Sequence, residues 1–405
     1  MYQYHATQLN GKAIRDNSRK PPWRIALIAN LKDEYEPELD EPPDAGAEFD
    51  RLETITAIAS ALEADGHWVH FVRGDHNLPE ALLKLRPHIC FNIAEGLDGD
   101  GREAQAPSLC ELLGIPYTAS RVVANALSLD KTQTKRIWRD SGLPTAPFEE
   151  LKSLDEVASH NLQFPLFVKP TREGTGMGVD PGAVVHNQDE LTSRVAWVLN
   201  TYHQPVLVEE YLPGREFTVG FIGNPGDPSS RHRPNLYDKD GYHWFPILEI
   251  DTRPSVSPGV YGHDAKSYNI SELGAPSYLC PADIPESLRK QLIELARRAA
   301  QALEVCDVSR IDFRVGANGE PYLMEINTLP GLNPFVSDLC IMAASEGMSY
   351  ETLITEILYL AAERYGMPFA PQSTAWLESA LTKKPQTANM FQPAQPLRIH
   401  RQAMR

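Results

Sequence analysis

SRIDFRV (residues 309–315) and YLMEIN (residues 322–327) are two short runs in which polar and apolar residues alternate, the period of a β-strand, and together they form a hairpin. In the first run the alternation places Arg310, Asp312 and Arg314 on one face and Ile311 and Phe313 on the other. The second run places Glu325 and Asn327 on one face, so Asp312, Glu325 and Asn327 are expected to converge. Two carboxylates and an amide oxygen are hard ligands of the kind Mg²⁺ takes beside phosphate oxygens and water. The plainer reading is a pair of exposed carboxylates on a surface hairpin. Apolar flanks on both strands disfavour it, because an unpaired ion near a core is costly to desolvate.

Working outward, an anion site requires basic or glycine-rich partners upstream. The Walker A pattern is absent, and Gly174-Thr-Gly-Met-Gly178 lacks the third glycine of a dinucleotide fingerprint. What remains is a strand ending at Lys169-Pro170 followed by TREGTGMGV. Glycines allow successive backbone N–H groups to face one anion, and Lys169 brings a point charge to the same place. A glycine-rich hairpin without a ligand is the alternative.

The rest of the chain organises around these two motifs. Residues 1–22 read as a flexible leader without the apolar segment of a signal peptide. From residue 23 to 126 strands and helices alternate: WRIALIA (23–29), a helical pattern over 47–64, strands at 68–72 and 89–93, and helices at 78–85 and 106–113. This alternation predicts a mostly parallel α/β sheet. KDEYEPELDEPPD (32–44) reads as an acidic, solvated loop. A small α+β unit is expected over 127–204, with a helix over 131–141, and a third unit over 205–368. The third unit contains strands at 206–210, 216–222, 245–250, 307–315 and 321–326, and helices at 285–303 and 350–365. Residues 224–242 read as a turn-rich surface excursion. Residues 369–405 read as a flexible tail.

The chain has 405 residues, enough for two or three domains, and its formal charge of −16 disfavours nucleic acid and anionic membranes as partners. No apolar run approaches the ~20 residues of a membrane span. Five scattered cysteines with no CxxC spacing argue against a disulfide framework or zinc ribbon, and a reducing cytoplasm is expected.

The segments ALSLDKTQTKRIWRDSGLPTAPF, LFVKPTREGTGMGV, VLVEEYLPGREFTV, DAKSYNISE, SRIDF and MEINTLPGL occur here in this order. Over about residues 23 to 367 they make the chain resemble the ATP-grasp enzymes, and within them the D-alanine–D-alanine ligase family. The resemblance implies a three-domain α/β (α+β) ATP-grasp architecture with an N-terminal parallel domain, and a homodimer. It further implies an ATP-dependent carboxylate–amine ligase that forms an acyl phosphate, which an amine then attacks. Carried over residue by residue, Lys131 and Lys169 would contact the nucleotide phosphates, and the loop containing Glu173, Gly174, Thr175 and Gly176 would close over them. Glu209, Glu210, Tyr211 and Leu212 would receive the adenine, and Glu216 the ribose. Asp312, Glu325 and Asn327 would hold two Mg²⁺ ions, for which Mn²⁺ could substitute. Arg310 and the backbone N–H of Gly331 would face a developing oxyanion, and Lys266 would approach the γ-phosphate.

The departures from the family pattern gather at the amino-acid pockets. The glutamate that grips the first substrate's ammonium has no direct counterpart; Glu48 stands nearest by position, with Glu53 a second candidate. Glu95 stands where the family has histidine, and Ser267 replaces a lid tyrosine. NTLPGLNPFVSD (327–338) leaves Ser337 displaced by one position, with Asn333 another polar candidate nearby. Retained nucleotide machinery with altered pockets predicts a ligase for a different amino-acid or small-metabolite pair. The alternatives are a true D-alanine–D-alanine ligase of cell-wall synthesis and a nucleotide-binding regulatory module without turnover. An acidic pocket around Glu95 would favour a substrate presenting a cationic or hydrogen-bond-donating group, unless Glu95 pairs with Arg102.

Overall fold

The computed structural model describes residues 22–37, 41–262 and 274–367. The apolar run after Trp23 forms β1 (Arg24–Ala29), which lies between β2 (Trp68–Arg73) and β3 (Ile89–Asn92) in a parallel sheet, with Ile25 opposite both Val69 and Ile89. A central parallel strand is covered on both faces, which is why its sequence is continuously apolar. The covering helices are α1 (Leu52–Ala64), α2 (Leu78–Leu85) and α3 (Gln105–Leu113). The helical pattern expected from residue 47 starts only at Leu52. Residues 43–48 form turns, and Asp50 is bridged to the chain just after β1, its N–H donating to the Asn30 carbonyl at 3.0 Å and its carbonyl accepting from Lys32 N–H at 2.9 Å.

Next come α4 (Val122–Leu129) and α5 (Lys131–Asp140). Asp130 caps α5, its carboxylate accepting from Thr132 N–H at 3.1 Å and Gln133 N–H at 3.0 Å, and this places Lys131 on the first turn. A second sheet contains β4 (Phe148–Leu151), β5 (Leu166–Pro170), β6 (Val184–Val185) and β7 (Val206–Glu210) in the order β4-β7-β5-β6, all antiparallel. Between β6 and β7 runs α6 (Gln188–Tyr202), absent from the sequence reading although Leu191, Val195 and Val198 recur at helical spacing after the cap Asn187. The strand 206–210, counted by sequence with the third unit, is the central partner of β4 and β5. Its hydrogen bonds thus move the break between the second and third sheets past residue 210.

The third sheet contains β8 (Glu216–Gly223), β9 (Tyr242–Trp244), β10 (Leu248–Asp251), β11 (Ser277–Leu279), β12 (Val308–Val315) and β13 (Pro321–Asn327). Its order is β11-β10-β8-β12-β13, with β9 on β8. A single strand over 245–250 is not formed: Pro246 has no N–H to donate, and the chain breaks into β9 and β10 on either side of it. The helices α7 (Glu286–Ala302), α8 (Asp338–Ser345) and α9 (Tyr350–Arg364) complete the described chain. All of it belongs to one compact unit, in which α9 packs on α1 through a core that includes Ile55, Ile58, Ile354 and Leu358.

Residues 224–241 are more than a surface excursion. The buried Arg231 donates to the Asn224 carbonyl at 2.6 Å and lies 3.0 Å from a Glu363 carboxylate oxygen, tying the segment to α9. No described helix is long and apolar enough to cross a membrane, and all five cysteines are free thiols. The leader (apart from Pro22), the tail and Lys266 with Ser267 lie outside the described residues.

Candidate active site

The register of the β12–β13 hairpin puts Asp312 opposite Glu325 and Arg310 opposite Asn327, with a bulge just after Asp312. All four side chains therefore share one face of the third sheet. Asp312 accepts from the Thr218 hydroxyl at 2.9 Å and from Asn327 Nδ2 at 3.3 Å, and lies 3.2 Å from Arg310 Nη2. Arg310 also pairs with Asp338 at the start of α8. Burial alone would weaken its charge, but Asp312 and Asp338 hold its pKa above the usual value.

Two lysines approach this face from other elements. Lys131 Nζ, on the first turn of α5, stands 3.7 Å from Glu325 Oε2, and Lys169 Nζ, at the end of β5, stands 4.0 Å from the same oxygen. Glu209 on β7 lies behind Lys169, with Oε1 3.4 Å from Lys169 Nζ and Oε2 2.8 Å from Nζ of the buried Lys135. Burial would lower the pKa of Lys169, but Glu209 and Glu325 outweigh it and hold the pKa above the usual value. Burial likewise disfavours the Glu209 carboxylate, and Lys135 and Lys169 more than compensate. A small cavity of about 50 Å³ here is lined by Lys131, Lys169, Glu173, Gly176, Glu216, Asp312 and Glu325.

The donor chemistry of Asp312, Glu325 and Asn327 fits a hard divalent cation. The described residues contain no group of three or more His, Cys, Asp or Glu placed to hold a metal, so such an ion would need the amide, water and ligand oxygens to complete its shell.

The glycine-rich loop after β5 turns through left-handed backbone at Thr175 (φ 48°), Gly176 (φ 73°) and Gly178 (φ 68°). Two of its N–H groups are taken by carboxylates, one from Asp44 at the end of the acidic segment that the sequence suggested was solvated and one from Glu48 just beyond it. Gly174 N–H donates to Glu48, and Gly178 N–H donates to Asp44 at 2.8 Å. Asp44 also accepts from the Tyr202 hydroxyl at 2.8 Å. These carboxylates thus find backbone donors, and a phosphate entering the loop would compete with Glu48 for Gly174. Asp44→Ala is expected to raise amide hydrogen exchange at residues 174–178 about tenfold, the loss of roughly one or two net hydrogen bonds. Unchanged exchange would show that the latch holds nothing.

A larger cavity of about 210 Å³ shares Lys131, Tyr261 and Glu325 with the small one. It also brings together Glu48, Glu95, Gly174, Thr175, Arg310, Asn327, Gly331 and Ser337 from the sequence reading. Other candidates lie elsewhere. Glu53 is exposed on α1. Asn333 donates to the Thr54 hydroxyl at 3.1 Å and closes its own turn. Glu210, Tyr211 and Leu212 line neither cavity; the Tyr211 hydroxyl donates to the Gly259 carbonyl at 3.1 Å and accepts from Arg314 at 3.1 Å.

Residues 137–359 match the family model for the D-Ala–D-Ala ligase C-terminus. The chain is 32% identical over 308 residues to a D-alanine–D-alanine ligase of Aquifex aeolicus, covering 76% of this chain and 94% of that one. It is 31% identical over 321 residues to an uncharacterised protein, y4sG, of Sinorhizobium fredii, covering 76% and 87% respectively. The chain belongs to the D-alanine–D-alanine ligase family. The fold agrees: the crystal structure of D-alanine–D-alanine ligase from Bacillus anthracis complexed with ATP superposes with a TM-score of 0.59 at 21% identity, covering 85% of this chain and 99% of that one. This member of the family is therefore an ATP-dependent ligase of α/β ATP-grasp architecture.

In this D-alanine–D-alanine ligase family member the larger cavity has groups the sequence reading missed: Asp50, Glu103, Tyr261, Tyr278 and Asp338. The sequence held a weak signal for Glu103, an acid beside Arg102, but none for Asp50, whose place depends on the bridge to β1. Arg102 does not pair with Glu95. It lies 2.8 Å from Glu48 and 3.0 Å from Glu173, and donates to the Arg172 carbonyl at 2.8 Å. Burial pushes Asp50 up to about 7, against the opposing Thr54 hydroxyl. Burial with Glu48 nearby pushes Glu103 up to about 8, although Arg102 and Lys131 oppose it, and Glu95 is raised well above the carboxylate range chiefly by burial.

These shifts set a pH dependence. The folded ligand-free protein retains protons that the unfolded chain releases above pH ~4. Stability is therefore greatest below that pH with respect to these groups and is lost as pH rises to about 8. The expected loss across the window is of the order of a few kcal/mol in total. Glu103→Gln should raise Tm at pH 8 and flatten the slope; an unchanged slope would refute the assignment.

Proposed function

We propose that the protein joins the carboxylate of one small molecule to the amine of another by way of an acyl phosphate, on an amino-acid or small-metabolite pair other than two D-alanines. The observation that carries this reading is the junction of the two cavities. Lys131 and Glu325 line both cavities, Lys169 and Asp312 the small one, and Asn327, Arg310 and Gly331 the larger one; the small cavity is taken for the nucleotide phosphates and the larger one for the joined substrates.

In this reading Lys131 and Lys169 bind the phosphates, and the Gly174–Gly178 loop covers them and excludes water. Asp312, Glu325 and Asn327 hold Mg²⁺, as two ions or replaced by Mn²⁺; when bound, it neutralises charge on the transferring phosphoryl group. Arg310 and Gly331 N–H face the oxyanion that develops as the amine attacks. Glu216 takes the ribose and the 209–212 segment the adenine. Glu209 contributes backbone alone, since both its carboxylate oxygens already serve lysines. The same reading includes a three-domain division near residues 126 and 210, a homodimer, a cytoplasmic setting and small-molecule partners rather than nucleic acid or membrane.

The test is a panel of D- and L-amino acids with ATP and Mg²⁺, scored by phosphate release and product mass. Phosphate release that requires an amino-acid pair is expected. D-alanyl-D-alanine formed as well as any other product would establish the true dipeptide ligase instead. Nucleotide binding without turnover on any pair would favour a regulatory module.

A further inference from the structure

Six carboxylates line the larger cavity: Glu48, Asp50, Glu95, Glu103, Glu325 and Asp338. Three are balanced by described cations, Glu48 by Arg102, Glu325 by Lys131 and Asp338 by Arg310. Asp50, Glu95 and Glu103 pair with no cation among the described residues. They come from two separate segments, the bridge before α1 and the loop between β3 and α3, which meet on one wall of the cavity. Arg102, the basic residue nearest in sequence to Glu95 and Glu103, is held by Glu48, Glu173 and the Arg172 carbonyl.

The α-ammonium of a bound amino acid can satisfy one carboxylate. Two more remain on the same wall, and partly buried carboxylates without counter-charges either stay protonated or wait for a cation. Arg310 lines the same cavity but is already paired with Asp312 and Asp338, so it supplies no counter-charge to these three. Resting on the ligase reading above, we infer that Asp50, Glu95 and Glu103 make this a ligase for a basic amino acid, whose side-chain ammonium or guanidinium sits against that wall. A bare alanine leaves these groups without partners, and a neutral chain of the same length desolvates them without compensation.

The experiment uses the full chain with ATP and Mg²⁺ and compares D- and L-lysine, ornithine and arginine with norleucine, citrulline and alanine of both hands. Amino-acid-dependent phosphate release and product mass are read together with ATP binding by thermal shift. A cationic amino acid is expected to exceed its neutral counterpart at least tenfold in kcat/KM. Glu95→Gln and Glu103→Gln, which keep shape and remove charge, should each reduce that preference tenfold or more through KM for the amino acid, while KM for ATP stays constant. Equal use of neutral and cationic members, or a preference that survives both substitutions, overturns the inference and leaves the ligase reading intact. Nucleotide binding with no cationic member turned over also overturns it. Absence of ATP binding overturns the ligase reading itself.

Discussion

Glu325→Ala is expected to lower kcat about a thousandfold or more, since a lost metal ligand at a phosphoryl-transfer site removes several kcal/mol of charge stabilisation. Lys131 and Lys169 both face Glu325, which stands opposite Asp312 across the hairpin. Its removal should raise the Mg²⁺ concentration needed for half-maximal phosphate release. The fold should survive, because Glu325 is only partly buried and its loss relieves repulsion from Asp312 in the ligand-free protein. Folding is checked by circular dichroism and turnover by phosphate release. Activity within tenfold of wild type would remove Glu325 from the metal site.

Glu209→Ala should cost about 3–5 kcal/mol of stability, the usual effect of breaking a buried ion pair from one side. Lys135 and Lys169 are both buried, and without Glu209 the first loses its sole described carboxylate partner within ion-pair distance. Lys169 would keep the more distant Glu325 and the weaker influence of Glu216, so its pKa should fall toward the value that burial favours, and ATP affinity with it. The double substitution Glu209→Met with Lys135→Met separates the two effects. Replacing an ion pair by apolar chains of similar volume is often tolerated, so most of the stability should return while ATP affinity stays low. Denaturant midpoints and nucleotide titration read the two quantities. A Glu209→Ala protein as stable as wild type would show that this carboxylate is not needed to balance the lysines.

The shared face of the β12–β13 hairpin was readable because it depends on short-range pattern. A period of two along SRIDFRV and YLMEIN is enough to gather Arg310, Asp312, Glu325 and Asn327 once the two strands pair, and a one-residue slip would have dispersed them. Lys131 entered only through the family resemblance, and the structure adds that Asp130 caps the helix that carries it. Helix α6 escaped although its apolar spacing and cap were present, and the 245–250 strand failed at a proline visible in the sequence. These were errors of reading.

Other features could not be read along the chain. Glu48 and Asp44 lie 126 and 134 residues from the loop amides they accept from, and nothing in the local sequence names those donors. Glu95 and Arg102 are near in sequence, yet the arginine turns to Glu48 and Glu173, because the tertiary fold offers it two carboxylates and a carbonyl at once. The sequence by itself determined the hairpin strands and most of their neighbours, the glycine-rich loop and the shared face of hard donors, all products of local periodicity and residue chemistry. The tertiary structure alone decided which charges are balanced, and hence that Asp50, Glu95 and Glu103 face the cavity without a described cation, because charge balance depends on distances across the fold that no local pattern encodes.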